Sequence, residues 1–443
     1  MSLTRSTTVQ SQQSITYDTT IVDETIIGPP PEESLEKGGE PDDEYEGIRN
    51  RGWVCALGAF LVNFFLSGST LAFGNYMNNY LTVAFPERTA LEVSFIGSMQ
   101  SGLINLLGLV LPLIIQKIGY RGTIHIGTIL APMGLICASF TTEFWQLYLT
   151  QGLMYGVGGA MGFQPAMMIP AQYLRRNRSL AGGISICGSG IGGLCLNPLI
   201  SSFISKYGYK ATLRYHGIIG LGIMIVGDLL CKPKYEMPRT TGRAKLIDTS
   251  LLTTPMWLLL GFSALVPFGY LVPFYLVPMY SVSIGLTASQ GALIVAVGSG
   301  INAASRVIFG TLADRSLGRL NVMFLLTFIS AASTMLIWPF AKSYGVLFFY
   351  FIVYSASGGV FLSVLPAIAI EIVGIEHLAQ GMTMYFLATG PGFLLGTPLA
   401  GQIFDASNYV TAIEFSGAIT VLASIMALAL RINIGGYKPF IKV

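Results

Sequence analysis

An arginine set in an apolar run is the residue best placed to do chemistry in this sequence. In "GSGINAASRVIFGTLADR", Gly298 to Arg315, Arg306 stands eight residues before Asp314. On a helix that separation is about 12 Å, at roughly 1.5 Å per residue. A guanidinium stays charged at any physiological pH and offers a fork of donors that takes a carboxylate through two hydrogen bonds. The alternative is structural: the flexible stem lets the charged head snorkel to the nearer water. One helical turn earlier stands Asn302, which can donate and accept hydrogen bonds but cannot carry a proton.

Other polar side chains are scattered through the apolar runs. Asn75, Tyr76, Gln164, Tyr275 and Tyr385, together with Asn63, Gln100, Asn105, Tyr270 and Tyr354, can line a path for a polar solute. Each can equally make an interhelical bond or sit as an interface aromatic. Asp228 and Glu371, near the ends of their runs, are candidates for carrying a coupling proton; Glu414 is similar, and water lies close enough to all three for plain solvation. The five cysteines show no C-x-x-C spacing, and His125, His216 and His377 fall in separate regions. A disulfide framework, a metal site and a catalytic constellation are therefore not expected, and no cofactor or enzymatic activity is predicted.

These residues need apolar helices to position them. Of 443 residues 52% are hydrophobic and 11% charged, against roughly 25% charged in a soluble domain. That composition predicts an all-α polytopic membrane protein. Blocks of about 20 apolar residues span the hydrocarbon core as helices, and twelve are read near 53–80, 91–115, 122–140, 144–172, 179–205, 212–231, 251–280, 287–312, 319–341, 344–370, 378–403 and 409–430. The first 48 residues hold 11 of the 22 acids and two cations, with too little apolar surface to fold. The predicted organisation is a disordered acidic cytoplasmic tail over 1–50, a six-helix bundle over 51–231, a linker over 232–250, a second bundle over 251–431 and a tail over 432–443. With the N-terminus inside, 17 cations fall on inner segments and five on outer ones, so both termini are expected in the cytoplasm. No apolar stretch follows a basic start, so a cleaved signal peptide is not expected.

The halves match when the chain is slid by 198 to 200 residues. "SLAGGIS" (Ser179 to Ser185) lies over "HLAQGMT" (His377 to Thr383), Gly190 and Pro198 over Gly390 and Pro398, and "PLIIQKIGYRG" over "GTLADRSLGR". Parallel six-helix repeats of this kind rock around a site near the bilayer midplane. The stripe Gly182, Gly183, Gly188, Gly190, Gly192 and Gly193 fits close helix packing.

"GTLADRSLGR" resembles the loop motif of the major facilitator superfamily, with one residue inserted before Gly318. "RGWVCALGAF" and "QYLRRNRSLAGGISICGSGIGG" resemble the two signatures of the monocarboxylate porter family, over about Arg51 to Arg431. The short central loop and acidic tail look more like the fungal members. The resemblance implies two pseudo-symmetric six-helix bundles and a gate made by Asp314 and Arg315. Arg175, Arg176 and Arg178 either contact anionic lipid and neighbouring loops at that gate or simply follow topology. It also implies a substrate-facing Arg306, because these porters carry an arginine four residues before the glycine that is Gly310 here. They commonly carry an aspartate four residues before that arginine, where this chain has Asn302, and a lysine in the first helix, where Ser67 to Gly74 has no cation. Lactate-style proton symport therefore does not carry over directly.

The expected function is secondary transport of a small organic solute, a monocarboxylate or related weak organic acid, by alternating access. Open alternatives are a neutral or aromatic solute such as a vitamin, and a transporter-like nutrient receptor. Expected partners are that solute, membrane lipids and, as an open option, a coupling proton. Basic residues follow topology rather than form a patch, so nucleic acid is not expected; a monomer is. The plasma membrane is the expected location, with a vacuolar or other organelle membrane as the alternative.

Overall fold

The computed structural model describes residues 49–174, 178–235, 251–374 and 378–436. The predicted acidic tail, most of the linker and most of the C-terminal tail lie outside them. The described chain is helical, with no strand among these residues, because an apolar chain in lipid must bond its backbone within each segment. The helices are α1 (Arg51–Asn79), α2 (Ala90–Leu106), α3 (Leu111–Ala138), α4 (Trp145–Leu147), α5 (Tyr155–Met168), α6 (Pro170–Tyr173), α7 (Arg178–Leu230), α8 (Thr254–Tyr270), α9 (Val272–Ser283), α10 (Ala288–Leu312), α11 (Arg319–Leu336), α12 (Tyr344–Gly358), α13 (Phe361–Val373), α14 (Leu378–Ala406) and α15 (Tyr409–Gly435). Among the described residues, eight helical stretches are long and apolar enough to cross a membrane.

Two of them, α7 and α3, run through a break in helical geometry. The 53 residues of α7 would run about 80 Å if straight, against a hydrocarbon core of roughly 30 Å. The chain leaves helical geometry at Gly208 (φ 77, ψ 167), and α3 does the same at Gly119 (φ 75, ψ 169). Both lie where the sequence predicts loops, at 206–211 and 116–121. The break takes a single residue because glycine, lacking Cβ, enters the positive-φ region freely.

The repeat has a structural counterpart in local detail. Thr89 and Glu92 form a reciprocal capping box at the start of α2, and Thr287 and Gln290 form the same box at the start of α10, 198 residues later (89 to 287). Each satisfies two orphan N–H groups of the first turn. Gly119 and Gly318, 199 apart (119 to 318), both have positive φ.

Within the N-terminal half α1 packs along α7, and α3 along α5; within the C-terminal half α15 packs on α8 and α11, and α14 on α8. The halves meet where α2 runs along α14, α7 along α10, and α1 against α9. One end of that seam is pinned by Asp405, which accepts from the Ala90 and Leu91 amides of α2, each at 3.0 Å. A carboxylate there complements the positive end of the α2 dipole. Further along, Ser98 and Thr397 share a hydrogen bond of 2.7 Å, and Ser101 donates to the Phe393 carbonyl.

The glycine stripe of α7 sets how closely these helices approach. A Cβ on Gly192 would fall 2.0 Å from the Phe64 carbonyl oxygen of α1, and one on Gly188 2.2 Å from that of Phe60. Gly190 and Gly193 face Ala303 and Ser299 of α10 instead. A Cβ on Gly182 would meet no other helix within 4 Å among the described residues. Gly192→Val should therefore destabilise the fold by about 1–3 kcal/mol or more through overpacking, whereas Gly182→Ala should change stability by less than about 0.5 kcal/mol. Thermal unfolding of the two variants in detergent checks this difference.

Candidate functional site

Two helix breaks bring the polar residues of the C-terminal half together. Tyr270 ends α8, and Pro273 follows just inside α9. Proline has no N–H, so the carbonyl four residues earlier loses its helical partner. Ser416 of α15 donates to that Gly269 carbonyl at 3.2 Å, and the Tyr354 hydroxyl donates to the Tyr270 carbonyl at 2.7 Å. The second break separates α12 from α13 at Gly359. Asn302 of α10 fills the space beside it: a Cβ on Gly359 would lie 2.1 Å from the Asn302 amide nitrogen. That nitrogen donates to the Ser355 carbonyl at 2.9 Å, one of the last four carbonyls of α12 that no helical N–H reaches.

Arg306 sits one turn beyond Asn302 and is 5% exposed, with Asn302 at 0%. Its Nη1 donates to the Ser189 hydroxyl of α7 at 2.7 Å, and its Nη2 to the Tyr270 hydroxyl at 2.8 Å. That hydroxyl in turn donates to the Asn302 side-chain oxygen at 3.4 Å. The Nε of Arg306 is buried without a hydrogen-bond partner. Among the described residues no carboxylate forms an ion pair with it. Tyr385 of α14 and Cys187 of α7 lie close enough to interact with its charge. The guanidinium thus spans the seam between the halves, held by two neutral hydroxyls and keeping unused donor capacity.

The other expected site residues fall elsewhere. Asn75 donates to Asn197 at 2.9 Å, and the Tyr76 hydroxyl is hydrogen-bonded to the His216 ring at 3.2 Å, both within the N-terminal half. Gln164 donates to the Ile104 carbonyl at 3.0 Å. Tyr275 is buried with its ring 5.1 Å from that of Phe73 across the seam. Asp228, near the end of α7, pairs with His125 of α3, and Glu371, near the end of α13, pairs with Arg319. Neither acid shares an ion pair or hydrogen bond with Arg306. Arg315 lies in an exposed π-helical turn, Ala313–Leu317, before Gly318. Arg175 and Arg176, and the side chains of Arg178 and Asp314, lie outside the described residues.

Sequence reading missed Ser189 and Ser355. Ser189 carried a faint signal as a hydroxyl inside the glycine stripe "CGSGIGG". Ser355 carried none, since it contributes a backbone carbonyl.

Buried polar groups at breaks in apolar helices, gathered where two halves of a repeat meet, are an arrangement that membrane transport proteins use. The comparisons make the class specific. The sequence matches the family description of the Major Facilitator Superfamily over residues 55–334 and 303–439, and the chain belongs to that family. It is 28% identical over 388 residues to the Agnestins efflux protein AgnL12 of Paecilomyces divaricatus, covering 87% of this chain and 88% of the relative. It is 26% identical over 375 residues to monocarboxylate transporter 13 of Rattus norvegicus, covering 84% and 87%. A solved POT family transporter in complex with 5-aminolevulinic acid superposes with a TM-score of 0.70 at 14% identity, over 88% of this chain and 98% of that one; this last likeness is one of fold.

Removing the Tyr270 hydroxyl strands Arg306 Nη2 and the Asn302 oxygen together. Tyr270→Phe should cost about 1–3 kcal/mol, the penalty for buried polar groups left unpaired, and more than Tyr354→Phe, which frees one carbonyl. Unfolding temperatures of both variants test the order.

Proposed function

We propose that the protein is a secondary transporter that moves a small organic acid by alternating access, with Arg306 as its anion-binding group. The observation that carries the reading is a guanidinium at the seam of the two halves, more than nine-tenths buried and, among the described residues, bonded to neutral hydroxyls alone. A charge so placed is costly in an apolar interior and gains most from a ligand carboxylate. Asn302, Tyr270 and Ser189 then orient the guanidinium, and Tyr385 borders it. The remaining expected lining residues, Asn75, Tyr76, Gln164 and Tyr275, contribute through helix packing.

The surroundings favour an acid with an apolar or aromatic body. The Tyr270 ring lies 5.3 Å from Phe361, 5.6 Å from Phe274 and 6.3 Å from Phe393. Relatives named for efflux and for monocarboxylate transport both suit such a cargo. The 17 inner cations against five outer ones support an orientation with both termini in the cytoplasm, and the plasma membrane is the proposed site of action. In that orientation the seam pinned by Asp405 and by Ser98 with Thr397 closes the outer side.

Uptake of an organic acid by cells or liposomes containing the protein should fall about 10- to 100-fold in Arg306→Ala, from loss of charge-assisted bonds worth about 1.5–3 kcal/mol. Arg306→Lys should recover part of it, because a lysine keeps the charge and loses the fork. Wild-type uptake by Arg306→Ala would rule out its role. A separate test concerns the motion: Ser98→Cys with Thr397→Cys, in a background lacking the native cysteines, should lock under oxidation, stop transport, and recover with reductant. Undiminished transport in the locked protein would rule out alternating access across this seam.

A further inference from the structure

We infer that the protein is an exchanger, carrying one organic monoanion inward for one outward without a proton. The inference rests on the reading of Arg306 as the anion-binding group and concerns what balances its charge when no anion does.

Among the described residues, every group that meets that guanidinium is neutral near pH 7. Ser189 and Cys187 come from α7, Tyr270 from α8 and Tyr385 from α14. A hydroxyl, a phenol or a thiol does not ionise appreciably at that pH. Asn302 is neutral by constitution and committed at both ends: its oxygen accepts from Tyr270 and its nitrogen donates to Ser355. Two carboxylates near helix ends are engaged by partners of their own, Asp228 by the His125 ring and Glu371 by Arg319.

Alternating access passes through an intermediate shut at both ends, in which the binding group is out of water. With a monoanion on Arg306 that intermediate is electrically neutral. Without one it holds an uncompensated charge in a poorly polarisable interior. Crossing while loaded is therefore the easy step, and returning unloaded is the hard one. One-way flux requires the hard step on every cycle, and exchange requires it never. No proton enters, because none of the described groups around the guanidinium is one that ordinarily exchanges a proton in this pH range.

The test uses the full chain in liposomes, with labelled pyruvate and labelled phenylpyruvate as probes. Uptake into vesicles preloaded with the same unlabelled anion should exceed uptake into vesicles loaded with gluconate by at least ~10-fold, equivalent to about 1.4 kcal/mol between the two return steps. A protonophore should leave the exchange rate unchanged. Asn302→Asp should lower the ratio towards one and make net uptake depend on a pH gradient, since an ionisable carboxylate beside Arg306 can balance it on the unloaded return. Net uptake as fast as exchange in the wild type, or exchange that collapses with the protonophore, would overturn the inference while leaving organic-acid transport standing. If neither probe moves in either mode, in protein shown to be folded by its thermal transition, the organic-acid reading fails and takes the exchanger with it. The wild-type ratio decides the matter should Asn302→Asp not reach the membrane.

Discussion

A guanidinium withdrawn from water must be hydrogen-bonded by whatever surrounds it, and the packing around Arg306 is arranged to that end. Tyr270 can reach it because α8 stops there, and α8 can stop because Ser416 and Tyr354 take the carbonyls freed at Gly269 and Tyr270. Asn302 can hold Tyr270 because α12 also stops, leaving the Ser355 carbonyl for its amide. Each break would be unfavourable alone in an apolar setting. Together they supply the bonds that one another lack, and the charge is held at their meeting point.

The same seam is used twice, with different chemistry. Ser189 of α7 and Thr389 of α14 are 200 residues apart (189 to 389) and stand next to the matched glycines Gly190 and Gly390. Ser189 accepts from Arg306, whereas Thr389 donates to Asn105 at 3.5 Å. Both helices approach their partners closely through glycine, since a Cβ at Gly190 would lie 2.4 Å from Ala303 and one at Gly390 2.4 Å from Leu106. The repeat thus provides two similar contacts, and charge has been introduced at one of them. A charged group at a joint between halves is positioned to feel their relative movement, which suits the carrier role proposed for it.

Polar residues in apolar helices divide by what they satisfy. Asn75, Tyr76 and Gln164 look on paper much like Asn302 and Tyr270, as amides and phenols in apolar runs. In the folded chain the first three bond to Asn197, His216 and the Ile104 carbonyl, groups of their own half. The last two bond around Arg306. Sequence pattern cannot make that division, because a buried amide needs a partner whichever helix supplies it. Ser355 was invisible for a stronger reason: its contribution is a carbonyl that every residue possesses.

What the sequence determined by itself is the class of object. Apolar blocks, sparse charge and segregated cations imply a helical membrane protein, since lipid leaves the backbone little choice. The offset matches announced the repeat, and the lone cation of the eighth apolar run marked Arg306. Capping boxes at Thr89 and Thr287 are local features, set within one helical turn. Tertiary structure alone decided which helices would break cleanly, that Gly119 and Gly208 turn the chain within one residue, and that Ser189, more than a hundred residues away, would meet the guanidinium. Such contacts depend on how closely helices pack, and that distance is set by pairs such as Gly192 and Phe64, which become neighbours only once the chain has folded.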